Sequence, residues 1–265
     1  MGDTTGISWT DHTFNPWWGC TKIAPGCDNC YAATLDKRTG GNYWEPHQKP
    51  RRTKPNNWRR VKKWQEQAEI ENRRHKVFCG SMMDWCDKDA PEGAREDLFD
   101  LIRATPMLDW QLLTKRATLI ENNLPNDWGD GYDNVWLGVT VENAEYGYPR
   151  IEALRSVPAK TRFISAEPLL GEVDDIYLDG IHWVIIGGES GPGFRAMEWR
   201  WADDLLVACD DQGVPVWFKQ WGGNSKDKGG CELNGREYKC WPRGGANYAS
   251  RLWPDAAALL CENST

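Results

Sequence analysis

The sequence predicts an α/β fold, a full or partial TIM-type (β/α) barrel of about six to seven parallel strands with an irregular C-terminal extension. Three observations predict it. From Lys76 onward, short apolar runs alternate with helix-forming stretches, as they do in βαβ units whose strands are buried on both faces. Just beyond nearly every run stands a polar residue, and in a parallel barrel those positions open onto the C-terminal face, where sites are built. The chain has 265 residues, 40% of them hydrophobic, enough for one such domain with insertions. A doubly wound open sheet is the alternative that the same rhythm allows.

The elements follow in chain order. Ile7-Ser8-Trp9-Thr10 begins an extended segment that runs through Pro16 into a cysteine-containing loop, and it reads as the first strand. Tyr31 to Arg38 is helix-forming and stops at Gly40-Gly41. A basic insertion at about 47–76 follows. Pro46, Pro50 and Pro55 make its first half a loop, and Trp58 to Glu71 reads as a helix. The later strands are Val77–Met82, Trp110–Thr114, Val135–Val141, Arg162–Ala166, His182–Gly187 and Val214–Lys219. Helices are expected at Glu92–Thr105, Leu119–Asn123, Tyr148–Ser156 and Trp199–Gln212. Residues 1–223 thus form the barrel, and 224–265, rich in glycine at first, form an irregular lobe or lid.

Cys20, Cys27 and Cys30 stand at spacing C-x6-C-x2-C around Pro25-Gly26, in a loop at a strand end. Thiolates are the soft ligands that zinc and iron–sulfur clusters select. Three of them can hold a [4Fe-4S] cluster by three irons and leave the fourth iron open, the mark of chemistry rather than scaffolding. The alternative is a zinc knuckle completed by His47, Cys231 or Cys240. Nine cysteines and no secretory signal at the N-terminus point to a reducing compartment, where clustered thiols bind metal and the others pack as small hydrophobes. Nowhere do eighteen apolar residues follow one another, so no membrane span is expected and the location expected is cytoplasmic. The net charge of −7 excludes a generic polyanion binder, but charge is unevenly placed. Arg51, Arg52, Lys54, Arg59, Arg60, Lys62 and Lys63, interleaved with Trp58 and Trp64, have the pattern of a nucleic-acid groove in which cations meet phosphates and rings stack on bases. A solvated helix surface carries the same pattern.

Gly19-Cys20 with Gly26-Cys27-Asp28-Asn29-Cys30-Tyr31-Ala32 resembles the three-cysteine-motif phage protein family, which also occurs in bacterial genomes and whose role is mostly unassigned. The likeness extends along nearly the whole chain through Thr114-Lys115-Arg116, Gly187-Gly188-Glu189-Ser190-Gly191 and Phe218-Lys219-Gln220-Trp221-Gly222. That family in turn resembles the radical S-adenosylmethionine (SAM) enzymes of the spore photoproduct lyase kind, whose usual motif is C-x3-C-x2-C. The resemblance implies a [4Fe-4S] cluster on the three cysteines and SAM at its open iron. It also implies SAM contacts from Tyr31 and from the strand ends at Ser81, Asp84, Glu142, Asn143, Gly187, Gly188 and Glu189.

Further candidates at the same mouth are Lys115 and Lys219 for a carboxylate or phosphate, Glu167 as a base and Cys86 as a hydrogen-atom donor. The expected function is generation of a 5′-deoxyadenosyl radical to modify or rearrange a nucleic-acid base, specifically a thymine-type base in phage DNA. The expected partners are DNA, an external electron donor and other DNA-modification enzymes. The setting is the cytoplasm of the bacterium or of the phage-infected host. Two alternatives stand beside it: a zinc-stabilised nucleic-acid-binding protein without catalysis, and a radical SAM enzyme acting on a free nucleotide or a protein.

Overall fold

The computed structural model describes residues 5–242. Seven strands form one parallel sheet: β1 (His12–Phe14), β4 (His75–Cys79), β5 (Leu108–Thr114), β6 (Val135–Thr140), β7 (Thr161–Ala166), β8 (Trp183–Gly187) and β9 (Val216–Gln220). Each pairs with the next of these in chain order. The winding therefore never reverses, which excludes the doubly wound alternative and leaves a curled, open half-barrel. β2 (Trp17–Trp18) pairs antiparallel with β3 (Arg51–Arg52) outside this sheet, and β10 (Glu232–Leu233) with β11 (Arg236–Glu237) forms a small hairpin.

The first strand starts later than the sequence predicts. Ile7–Thr10 closes a turn, with Thr10 N donating to Ile7 O, and Trp9 enters the barrel interior from this irregular segment. The basic segment 47–76 belongs to the connection from β1 to β4 and runs into β4 itself. Its helix, α2 (Pro55–Glu71), is the crossover from β1 to β4; Pro55 opens it, Val61, Trp64, Gln65 and Ala68 face the core, and Asn72 ends it with left-handed φ of 48°. The other helices are α1 (Tyr31–Arg38), α3 (Ala94–Arg103), α4 (Ile120–Asn123), α5 (Ala144–Ser156) and α6 (Trp199–Asp211). α5 begins before the predicted Tyr148 because Asn143 caps it, its side chain accepting from Tyr146 N.

Strand alternation divides the core in two. Val77, Trp110, Leu112, Leu137, Val139, Ile164, Val184 and Ile186 face the helices. Trp9, Phe78, Trp136, Phe163, Trp183, Ile185 and Trp217 fill the barrel interior. Space there is made by Gly138, where a Cβ would lie 2.3 Å from the Phe163 ring. Of the lobe or lid expected at 224–265, residues 243–265 lie outside the described residues, and the described part lies in two places. A strap at 224–230 borders the barrel mouth, whereas Tyr238 to Cys240 run along the β9 edge, Phe218 N donating to Tyr238 O and Cys240 N to Val216 O. No helix among the described residues is long and apolar enough to cross a membrane.

Candidate active site at the barrel mouth

A cavity of about 780 Å³ opens at the C-terminal ends of the strands, and Cys20, Cys27 and Cys30 all line it. Local backbone geometry puts them there. Gly19, at φ +113°, turns the chain out of β2 where a Cβ would lie 2.9 Å from Pro50 Cα, and its N–H bonds Met82 O. Pro25–Cys27 make a single 3-10 turn, and Cys30 is the N-cap of α1. All three thiols are free and partly exposed.

Two charge networks, the first of them buried, hold the loop from either side. On the Cys20 side, Arg116 pairs with Asp84 at 2.8 Å and Asp87 at 3.0 Å, donates to Thr21 O at 2.7 Å, and places Nη1 3.6 Å from Cys20 Sγ. Thr21 N in turn donates to Asp87 Oδ2 at 2.8 Å. On the other side, Asn29 donates to Glu189 Oε2 at 2.9 Å and to Gly193 O at 2.8 Å. Arg195 pairs with Glu189 at 2.5 Å and donates to Pro25 O at 2.9 Å. Burial alone would raise the Glu189 pKa, but these hydrogen bonds hold it below the usual range. Burial pushes the Cys20 thiol well up, Asp84 and Asp87 push the same way, and Arg116 opposes them.

Of the residues predicted for the site, Tyr31, Ser81, Asp84, Lys115, Glu167, Gly188 and Glu189 line the cavity with the cysteines. Tyr31 Oη donates to Ser81 O at 2.6 Å, and Asn15 fixes Ser81 Oγ at 3.0 Å. Glu167 accepts from Lys219 at 2.5 Å and from Gln220 at 2.9 Å. Other predicted residues lie elsewhere. Cys86 is fully buried in the helix-facing core and does not line the cavity, which removes it as a hydrogen-atom donor. Asn143 and Gly187 do not line it either, the former serving as the α5 cap. Glu142 is fully buried beside Gly26, its carboxylate 3.8 Å from Lys115 and 3.6 Å from Arg150. Gly188 is glycine for a packing reason, since a Cβ there would lie 1.8 Å from Trp221 O.

The basic segment divides similarly. Arg51, Arg52, Lys54, Arg59, Lys62 and Lys63 are exposed, Arg60 and Trp58 are half-buried, and none of these lines the cavity. Trp64 is buried with its ring stacked on His12 at 4.3 Å, and it is the member of this segment that does line the cavity. The anchors Asp87 and Arg195 escaped sequence reasoning because they act on the loop from distant parts of the chain, and Asn15 because it acts on the end of β4. Asn29 was visible only as a member of the cysteine motif.

Among the described residues, no group of three or more His, Cys, Asp or Glu is placed to hold a single metal ion. The proposed zinc partners His47, Cys231 and Cys240 do not line the cavity. Cys231 Sγ sits instead 2.7 Å from Glu237 Oε1.

The sequence model of a family described as "Protein of unknown function (DUF5131)" matches residues 4–242, and the chain belongs to that family. No curated protein and no solved structure matches it.

Proposed function

We propose that this member of the DUF5131 family is a radical SAM enzyme that modifies a nucleic-acid base. One observation carries the reading: three free thiols from a single loop line one cavity at the C-terminal mouth of a parallel half-barrel. The donor set fits a [4Fe-4S] cluster held by Cys20, Cys27 and Cys30. A cubane takes one thiolate per iron, so its ligands need not meet at one point, whereas zinc needs every ligand within about 2.3 Å of one centre. When bound, the cluster and SAM would supply the radical chemistry, with the electron coming from an external donor.

The chain's own residues position and shield. Arg116 with its two aspartates and Glu189 with Arg195 and Asn29 fix the cysteine loop to the ends of β4, β5 and β8. Trp9 and Phe78, shared between the cavity and the aromatic interior, close its floor against water. Thr140 and Ser165, from neighbouring inward-facing positions of β6 and β7, offer hydroxyls above that floor. The finer expectation, a thymine-type base in phage DNA, rests on the family resemblance and on the exposed cations of α2. The test is anaerobic reconstitution followed by assay for 5′-deoxyadenosine with a chemical reductant. Iron with acid-labile sulfide and SAM cleavage are expected; one equivalent of zinc without sulfide overturns the reading in favour of a zinc-stapled binding protein.

A further inference from the structure

The cavity is locally positive in a chain of net charge −7. Its lining carries Lys22, Lys115, Arg116, Lys219 and Lys228 against the carboxylates of Asp84, Glu167 and Glu189. Most of these charges are already matched. Arg116 has two aspartates, Glu189 has Arg195, and Lys219 has Glu167. Lys228 forms no ion pair with a described carboxylate, yet the fold brings it to the same corner, where it feels both the repulsion of Lys219 and the attraction of Glu167. Lys219 and Lys228 thus both line this corner of the cavity, where Lys219 already occupies the Glu167 carboxylate.

The strap fixes this corner. Gly222 N donates to Lys228 O at 2.8 Å, Trp221 N to Gly230 O at 3.1 Å, and Lys228 holds a left-handed φ of 51°. Ser225 Oγ is tied to Asp227 at 2.5 Å, tightening the turn before Lys228. The neighbouring loop bridges Ser190 to Gly223, and Ser190 Oγ, which is buried, has no hydrogen-bond partner although the residue lines the cavity. Surplus positive charge, an unpartnered hydroxyl and the bare backbone of Gly223 at the cavity wall are the chemistry that receives a phosphate ester.

Resting on the proposed reading of the site, we infer that the β8–β9 corner of the cavity, Lys219, Lys228 and Ser190, is a subsite for the phosphate of a nucleotide whose base faces the cysteine loop. The phosphate belongs to a mononucleotide or to a strand, and the test separates the two. Binding of thymidine, thymidine 5′-monophosphate and a short oligothymidylate to the full chain is measured by calorimetry, for wild type, Lys228→Gln and Lys228→Arg. Lys228→Gln is expected to weaken the phosphorylated ligands about tenfold and thymidine hardly at all, with Lys228→Arg restoring most of the loss. Tighter wild-type binding of the monophosphate assigns a free nucleotide, and of the oligomer a strand. An equal loss for thymidine, no loss for any ligand, or no binding of phosphorylated ligands by wild type overturns the subsite. Because the readout is binding and needs no SAM cleavage, failure here is distinct from failure of the enzymatic reading, which 5′-deoxyadenosine decides.

Discussion

A Cβ at Gly26 would lie 2.5 Å from Glu142 Oε1, and that carboxylate has little room to retreat because Lys115 and Arg150 flank it in a fully buried site. The cysteine loop should yield instead. Gly26→Ala is expected to lower iron and sulfide content after reconstitution while the unfolding transition stays near that of wild type; full cluster loading would show that the loop tolerates the shift. Cys20→Ala, Cys27→Ala and Cys30→Ala should each abolish the visible iron–sulfur absorption, since a methyl group cannot ligate iron. Cys209→Ala should leave it, because that thiol lies on the buried face of α6, does not line the cavity and loses only packing. Retention of a full cluster by any of the first three would remove the assignment. His182 gives a pH prediction. Burial pushes its pKa below 6.5, the Arg162 charge pushes the same way, and its Nδ1 accepts from Arg162 N at 2.9 Å, so the folded state prefers the neutral ring. A depressed folded pKa contributes stability that is present above the unfolded value and lost as pH falls through the folded one. Unfolding free energy should therefore decline as pH falls below about 6.5, and less steeply in His182→Gln; parallel pH profiles would assign the decline to other groups.

At the scale of the element, α2 shows what a sequence does and does not make legible. Its helix was readable because Val61, Trp64 and Ala68 recur on one face, but a tryptophan within a basic run reads equally as a stacking ring or as a core anchor. The structure assigns Trp64 to the core, and Trp64→Ala should cost about 3–5 kcal/mol of stability through the cavity it leaves, measured by denaturant unfolding. On the same helix Arg59, Lys62 and Lys63 are exposed and Arg60 is half-buried, and these cations carry a separate prediction. Changing Arg59, Arg60, Lys62 and Lys63 together to Ser should weaken DNA binding and flatten its salt dependence, because each lost phosphate contact releases fewer counterions. Equal affinity and slope would make that face a solvated surface. The strands were legible for a simpler reason: β-branched and aromatic runs buried on both faces leave few other readings. The loop anchors were not, since Arg116 reaches Thr21 and Arg195 reaches Pro25 across most of the fold, and nothing in local spacing joins such pairs. Gly188 misled for the opposite reason. Its loop resembles a ligand-contacting turn, but the atom that demands glycine is the Trp221 carbonyl, so a bulky residue there tests strand packing and not SAM binding.

For the molecule as a whole, the open question of a half-barrel is how its two edge strands are protected, since β1 and β9 do not pair and unpaired edges invite association. The chain after β9 answers it. Tyr238 to Cys240 satisfy part of the β9 edge, and Trp241 then crosses to the other side of the gap. Its ring lies 4.5 Å from that of Trp217, its Nε1 donates to Trp9 O at 3.0 Å, and Lys76 Nζ sits 4.5 Å from its centroid. One side chain thus joins β9, the segment before β1 and the start of β4. Nearby, Trp183 Nε1 donates to Cys240 O at 2.7 Å, tying the same crossing to the interior aromatics. Trp241→Ala should remove a half-buried ring and orphan the Trp9 carbonyl, a loss of about 2 kcal/mol, and lower the melting temperature by roughly 5 °C for a chain of this size. Trp241→Phe, which keeps a ring but not the N–H, should fall between. If the crossing holds the barrel shut, the alanine variant should also admit water to Trp9, Trp183 and Trp217, shifting tryptophan emission to longer wavelength before global unfolding begins. An alanine variant with wild-type melting and unshifted emission would show that the curvature of the sheet is maintained by the strands and helices alone, and that the segment after β9 merely rests on the seam.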